Sequence, residues 1–564
     1  MTRTEELRSH HAVTAGRGGS WIADPATAFS AEQLRSRLLG SLSSWRDYPP
    51  SLRLWFWLLP VITTAIGGVL RFWRLEHPHS LVFDETYYVK DAYSYLQSGY
   101  ERNWPEKAND AFNAGNPTVI LGTPEYVVHP PVGKWMIAWG MNLFGPESSF
   151  GWRFSAALTG TVSILLVALI AQKLFKSLAL GTTAGLLTAI DGTHLVLSRT
   201  SLLDIFLMFW ILASFGALLL DRDDGRRRLA ARLGQRATAR HGNANNGAFG
   251  GRPLESVLFS GPWLGIRPWR LVAAVCMGLA VGTKWSALFF MAAFGILMVL
   301  WDMGARRSAG IRGWLSAGVI KDGIPAFLQY VPVAGGVYLA TWTGWFLSKD
   351  AYFRQWALSN PSEQWGWIPN SLRSLAHYHI EAYNFHQGLS ADHPYKASAW
   401  TWLVMGRPTS FYYQSPKLGQ SGCEVQSCSE AILPVGNPLI WWGAIIALVV
   451  LLFWWIGRRD WRAGAIMAGV GAGYLPWFMY PERTTFFFYA IAFEPFLVLA
   501  VCFVLGLLLG KRTDPVWRRR SGVLVVGILV AAALLLSAYF YPIWTGETIS
   551  YNDWHLRMWM PSWI

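Results

Sequence analysis

Residues 54–90 read LWFWLLPVITTAIGGVLRFWRLEHPHSLVFDETYYVK. The first part, 54–74, is an apolar block about as long as a bilayer's hydrocarbon core is thick, because roughly 20 helical residues at 1.5 Å each cover about 30 Å. Arg71 stands at its end. Thirteen residues later an adjacent acidic pair, Asp84 and Glu85, opens a short amphipathic segment on which Tyr88, Tyr95 and Leu96 are expected to face the membrane. One crossing followed by charges at headgroup depth is the pattern of the whole chain.

The 564 residues are 52% hydrophobic and only 15% charged, where a soluble chain carries about 25% charged residues. The 33 Trp fit a protein with long rims at headgroup level, where an indole is half apolar and half wet. Apolar blocks fall at 54–74, 150–172, 178–197, 201–220, 270–283, 285–301, 325–347, 438–456, 463–480, 484–509 and 521–541, giving eleven expected spans. With the N-terminus inside, every short basic cluster lands on one side: Lys173 and Lys176; Arg222 to Arg240; Arg306, Arg307 and Arg312; Arg458, Arg459 and Arg462; Lys511 to Arg520. That is the positive-inside asymmetry, and an even number of spans would break it. The fold expected is therefore an all-α polytopic membrane protein.

The resulting division is a cytosolic tail 1–53, ending in the amphipathic stretch AEQLRSRLLGSL; a transmembrane module 54–347 that includes an outer loop 75–149; an outer loop 348–437; transmembrane helices 438–544; and an outer tail 545–564. The polar start predicts no cleavable signal peptide. Residues 225–252, rich in Arg, Ala, Gly and Asn, read as a flexible inside loop. The net charge of +14 does not point to nucleic acid, since the cations sit between apolar blocks rather than on one soluble face. Cys423 and Cys428 lie in the second outer loop, where a close pair reads as a small disulfide loop rather than a metal site.

Ionisable groups at membrane depth are costly and mark function by default. Adjacent helical residues point about 100° apart, so Asp84 and Glu85 cannot both serve one atom. One can act as a base while the other holds a neighbour; alternatively Asp84 merely caps its helix. Arg71 and Arg153 at headgroup depth suit a lipid phosphate, because guanidinium forks match phosphate oxygens. His129 to Lys134 (HPPVGK) form a rigid entry to the second span, with Lys134 either an anchor or a ligand. Arg199, Asp204 and Lys284 are further buried charges, each needing a partner, and an ion pair to Asp204 explains them as well as catalysis does.

The order of these motifs resembles the protein O-mannosyltransferases. FDET (83–86), HPPVGK (129–134), WRFSAA (152–157), SRTSLLD (198–204), GLAVGTKW (278–285) and HPYKASAWTWLVMGRPTSFYY (393–413) follow one another at fitting spacings across most of 54–541. The second outer loop is too short for the β-trefoil insertion of eukaryotic members, which points to a bacterial type at the plasma membrane. The resemblance implies a GT-C-type glycosyltransferase that moves mannose from polyprenyl-phosphate mannose to Ser or Thr of exported polypeptides with inversion, the polypeptides being met near the Sec translocon. It implies Asp84 as the leading base with Glu85 positioning, and Arg153 and Arg71 on the donor phosphate. A phosphodiester leaving group needs its growing charge stabilised rather than a general acid. Since no carboxylate cluster asks for a divalent ion, no metal or other cofactor is expected. A GT-C enzyme with a lipid-linked or glycan acceptor shares these features. A lipid transporter or flippase predicts midplane charges and an internal repeat, and the sequence has neither.

Overall fold

The computed structural model describes residues 31–40, 45–118, 120–243, 260–511 and 513–564. Seven of its helices are long and apolar enough to cross a membrane: Pro50–Phe72, Ser149–Phe175, Leu203–Gln235, Ala287–Ser308, Trp314–Thr341, Pro438–Arg458 and Val516–Thr545. The other expected spans fall on shorter helices, Leu178–Ile190, Pro268–Val281, Trp461–Tyr474 and Glu494–Leu509. At 1.5 Å per residue these reach only about 20–24 Å, shorter than a bilayer's hydrocarbon core of about 30 Å. The chain is a multi-pass membrane protein.

Three expected spans are interrupted, each for a legible reason. The block 178–197 breaks at Asp191, whose carboxylate accepts from His194 N and caps a separate helix Gly192–Ser198. The same carboxylate accepts from Asn437 N and Trp441 Nε1, both at 3.0 Å, so it is a buried junction rather than a mid-helix accident. The block 463–480 ends its helix at Tyr474 and passes into a tight turn, Leu475–Met479, that contains Pro476. The block 484–509 starts with a tight turn, Phe487–Ala492, before the helix at Glu494.

The inside loop expected at 225–252 is corrected over its first part. Helix Leu203–Asn243 runs on through it, carried by Arg and Ala, which are strong helix formers; residues 244–259 lie outside the described residues, as do 1–30 of the tail. The amphipathic stretch forms helix Ala31–Leu39 and packs Leu34 and Leu38 against Leu229, Ala230 and Leu264. A helix missed in the sequence, Val132–Phe144, precedes the second span.

All-α is also incomplete as a description. The second outer loop and the tail share a three-stranded antiparallel sheet in the order β1 (Tyr412–Gln414), β2 (Cys428–Ile432), β3 (Thr548–Ser550). Tyr412 faces Ile432, and Cys428 faces Ser550. The tail is thereby stitched to the loop, and Arg407 holds its end through the carbonyls of Ser562 and Ile564, both at 2.6 Å. The sulfurs of Cys423 and Cys428 lie 2.07 Å apart, at the start of the central strand β2.

Candidate active site

The FDET turn begins with a strained residue. Phe83 has φ +46°, a left-handed conformation that is unusual for a bulky side chain and costs of order 1–3 kcal/mol. Aromatic neighbours hold it there: Phe411 stacks at 5.1 Å, while Phe486 and Phe488 meet its ring edge-on at 5.7 and 5.6 Å. Such pairs contribute about 0.5–1.5 kcal/mol each beyond burial, enough together to offset the strain. The turn is thus clamped by residues more than 300 positions away.

Beyond Phe83 the two carboxylates separate completely. Glu85 is fully buried. It accepts from Val82 N at 3.0 Å, Ser201 N at 2.8 Å, and Arg153 Nε and Nη2 at 2.9 Å each. Asp84 stands at the head of helix Glu85–Ser98 but makes no capping hydrogen bond, and its carboxylate accepts none from the described residues. The capping alternative is therefore set aside. Burial pushes the Asp84 carboxyl up to about 7, with Lys284 pulling it down and Asp204 pushing it further up. Those three groups share one electrostatic neighbourhood.

Asp204 and Lys284 form an ion pair at 2.7 Å on the wall of a cavity of about 260 Å³ that His129, His386, Arg483 and Tyr489 also line. Lys284 Nζ lies 5.2 Å from the Tyr489 ring centre. His386 Nε2 bonds to the Val128 carbonyl at 3.1 Å, so its Nδ1 accepts from Arg483 Nη2 at 3.2 Å. Burial, then the Arg483 charge, brings the His386 imidazole down to about 4; burial and then Lys284 hold His129 well below the usual range. Both rings are neutral at pH 7, and the cavity's positive charge rests on Lys284 and Arg483. The Arg483 Nε–H is buried and unbonded.

Several expected site residues stand elsewhere. Arg153 was expected on the donor phosphate, yet all five of its N–H groups are used: three on Glu85 and Ser80, two on the carbonyls of Leu75 and Pro78. Its fork is saturated, and it braces the loop. Arg71, expected beside it, is sealed among helices and bonds the carbonyls of Gly67, Thr188 and Ala189 and His194 Nδ1. Glu85, expected to hold a neighbour beside the base, is bonded to Arg153 and does not line the cavity. Arg199 satisfies the helix-end carbonyls of Arg71, Trp73 and Arg74. Lys134 pairs with Glu101 and bonds the His129 carbonyl, a structural role beneath the cavity. Tyr88, expected to face the membrane, is buried against His129 instead. His129, Asp204 and Lys284 are the expected residues that line the cavity, and Asp84 lies within electrostatic reach of the Asp204–Lys284 pair. Arg483, His386 and Tyr489 were missed. The available signal was the break PER (481–483) between two apolar blocks, which places an arginine at the end of a span on the same side as Asp84.

Comparison with known proteins agrees with this architecture. A family model described as dolichyl-phosphate-mannose-protein mannosyltransferase matches residues 61–230. A second, the C-terminal four TMM region of protein-O-mannosyltransferase, matches 371–563. The polyprenol-phosphate-mannose–protein mannosyltransferase of Mycolicibacterium smegmatis (strain MKD8) is 38% identical over 92% of this chain and 95% of its own. The Mycobacterium tuberculosis protein of the same name is 36% identical over 93% and 95%. The S. cerevisiae protein O-mannosyltransferase Pmt1-Pmt2 complex bound to the sugar donor shares the fold, with a TM-score of 0.66 over 95% of each chain at 13% identity. With Asp84 and the Lys284–Asp204 pair in its first half and the clamping aromatics and Arg483 in its second, this chain belongs to the protein O-mannosyltransferase family.

Proposed function

We propose that the chain transfers mannose from polyprenyl-phosphate mannose to Ser or Thr hydroxyls of exported polypeptides. The observation that carries the reading is Asp84: a partly buried carboxylate with no hydrogen bond, raised to about 7, beside a cavity whose cations are Lys284 and Arg483. In the step, the acceptor oxygen attacks C1 of the mannose, its proton passes to Asp84, and the C1–O bond to the phosphate breaks. A general base near the working pH combines proton affinity with availability. The leaving phosphodiester becomes a monoester and gains about one negative charge, which Lys284 and the unbonded Arg483 Nε–H are positioned to stabilise. Attack opposite the leaving group inverts a β-linked donor to an α-mannoside.

Metal independence is part of the proposal: the base and the two cations it calls on are side chains of the chain itself. Orientation follows from the charge asymmetry: the basic helix ends face the cytosol and the Asp84 cavity faces outside, at the plasma membrane of a bacterium, where acceptors emerge from the Sec translocon.

The test is incubation of purified protein with radiolabelled polyprenyl-phosphate mannose and a Ser/Thr-rich peptide, with and without a chelator. Alkali-labile label on the peptide in both conditions is the expected result. Label confined to lipid transfers the assignment to a lipid acceptor, and loss of transfer with chelator overturns metal independence.

A further inference from the structure

The end of the bundle opposite Asp84 holds a second, larger cavity of about 840 Å³. Most of its wall comes from four helices, Pro50–Phe72, Ser149–Phe175, Leu203–Asn243 and Pro268–Val281, with Arg37 to Gly40 of the amphipathic helix region, Tyr48, Ser308 and Trp461. The lining changes character along its length. Leu166, Leu169, Ala213, Gly216 and Val272 are apolar; one to three turns further along the same two long helices come Lys173, Lys176, Arg222, Arg226 and Arg227. From Leu166 to Lys176 is about 15 Å of helix. Six basic side chains, with Arg37, face one carboxylate, Asp223.

Local bonds account for part of this charge. Lys173 and Arg222 pair with Asp223 at 2.6 and 3.1 Å. Lys176 Nζ donates to the Leu39 carbonyl at 3.0 Å, and Arg226 Nη1 to the Leu38 carbonyl at 2.9 Å. The Nε–H groups of Arg222 and Arg226 remain buried with no acceptor, and Arg222 as a whole is 8% exposed. Buried donors are nearly always paired in native proteins, and these two are not, although the Arg222 guanidinium also lies 3.5 Å from the Trp461 ring centre; with the excess of basic side chains on the chamber wall, this calls for an anion. Trp57 and Trp269, at 47% and 41% exposure, flank the chamber on the surface that meets the bilayer, which is where a membrane-resident molecule enters.

We propose that this cavity is a binding site for an anionic glycerophospholipid. Its phosphate sits among Arg222, Arg226, Lys176 and Arg227, and its acyl chains lie along Leu166, Leu169, Ala213 and Val272. A free phosphate has no use for the apolar half, and a zwitterionic lipid places a second cation against the first six. Because Lys176 and Arg226 also hold the carbonyls of Leu38 and Leu39, the lipid fixes the amphipathic helix Ala31–Leu39 to the bundle. The site is separate from the proposed transfer chemistry and does not depend on it.

The experiment uses the full-length chain, stripped of lipid in detergent, with native mass spectrometry and thermal unfolding as readouts. The probes are dioleoylphosphatidylglycerol, dioleoylphosphatidylcholine, glycerol 3-phosphate and undecaprenyl phosphate. Phosphatidylglycerol is expected to remain as a one-to-one adduct and to raise the unfolding midpoint, while phosphatidylcholine and glycerol 3-phosphate do neither. The double variant Lys176→Gln/Arg227→Gln should weaken that adduct by about 30-fold. Ala213→Trp fills the apolar half, leaves every charge in place, and should also abolish the adduct. Equal retention of phosphatidylcholine, binding of glycerol 3-phosphate alone, or retention of phosphatidylglycerol in both variants overturns the proposal. Displacement of phosphatidylglycerol by lower concentrations of undecaprenyl phosphate overturns it in favour of a prenyl carrier.

Discussion

Glu85 and Arg153 meet as two parallel prongs, Nε to Oε1 and Nη2 to Oε2, each at 2.9 Å, with neither side chain more than 1% exposed. A buried ion pair broken on one side leaves an uncompensated charge and costs about 3–5 kcal/mol. Arg153→Ala should therefore lower the unfolding midpoint sharply. Arg153→Lys should rescue little of it, because an ammonium cannot reach both carboxylate oxygens and three carbonyls at once. Donor affinity per folded molecule should be unchanged in either variant. A wild-type midpoint combined with weakened donor binding would return Arg153 to the phosphate.

Asp84→Asn keeps the shape of the side chain and removes its ability to accept a proton. The wild-type carboxylate makes no capping bond, so folding should be unaffected. Activity should fall by about 10² or more, the scale of general-base removal. Glu85→Gln, by contrast, should act mainly through stability, since it discards the charge that Arg153 is bonded to. An active Asp84→Asn enzyme would remove the base from this position.

The pH dependence follows from the same carboxyl. A base works only when deprotonated, so transfer should climb with pH through about 7, where Asp84 titrates, and level off above it. The two cavity imidazoles cannot supply that limb: His386 is held at about 4 and His129 well below its usual value. A profile already flat from pH 5 to 8 would show that Asp84 is ionised throughout and is not the titrating base.

Arg483→Gln should weaken use of the donor by about 10- to 100-fold, the effect of losing a charge-assisted hydrogen bond. Arg483→Lys should recover part of that loss. The measurement is donor Kd alongside single-turnover rate, to separate binding from stabilisation of the leaving charge. Wild-type values for both in Arg483→Gln would leave Lys284 as the sole cation in the reaction.

His77 Nε2 reaches Glu430 at 3.0 Å and the Gly546 carbonyl at 2.8 Å, linking the first outer loop to the sheet. The Glu430 hydrogen bond raises the His77 pKa above its ordinary 6.5. For a raised histidine, the stabilisation is complete below the unfolded value and is lost as pH rises through the folded one. The wild-type unfolding midpoint should thus decline as pH is raised from 6 toward 8 by more than that of His77→Gln. Parallel declines would mean that the contact carries no proton-linked stability.

Long apolar blocks were readable because the bilayer imposes one length on every crossing, and breaks were read poorly because a single Asp191 or Pro476 hardly changes a block's hydropathy. The acidic pair and its division of labour were visible, but not what seals Glu85. Which carboxylate is sealed depends on Arg153 and Ser201, which arrive from 68 and 116 residues away. Arg71 and Arg153 illustrate the same limit: headgroup depth made them suitable for a phosphate, but only the carbonyls around them reveal that their donors are already occupied. Arg483 went unnoticed because its partner His386 lies on an outer helix about a hundred positions earlier. Short strands such as Tyr412–Gln414 carry too little pattern to be read without their partners.

The clamp on Phe83 has a consequence for the order in which the molecule comes to life. The turn that presents Asp84 is among the first pieces to leave the ribosome, yet its ring rests on Phe411, Phe486 and Phe488. Until those residues have been synthesised and inserted, the aromatic clamp on the left-handed backbone beside Asp84 is missing. A nascent chain, or a fragment ending after residue 230, therefore carries Asp84 without that clamp. The posture of the turn is complete only when the later helices close over it.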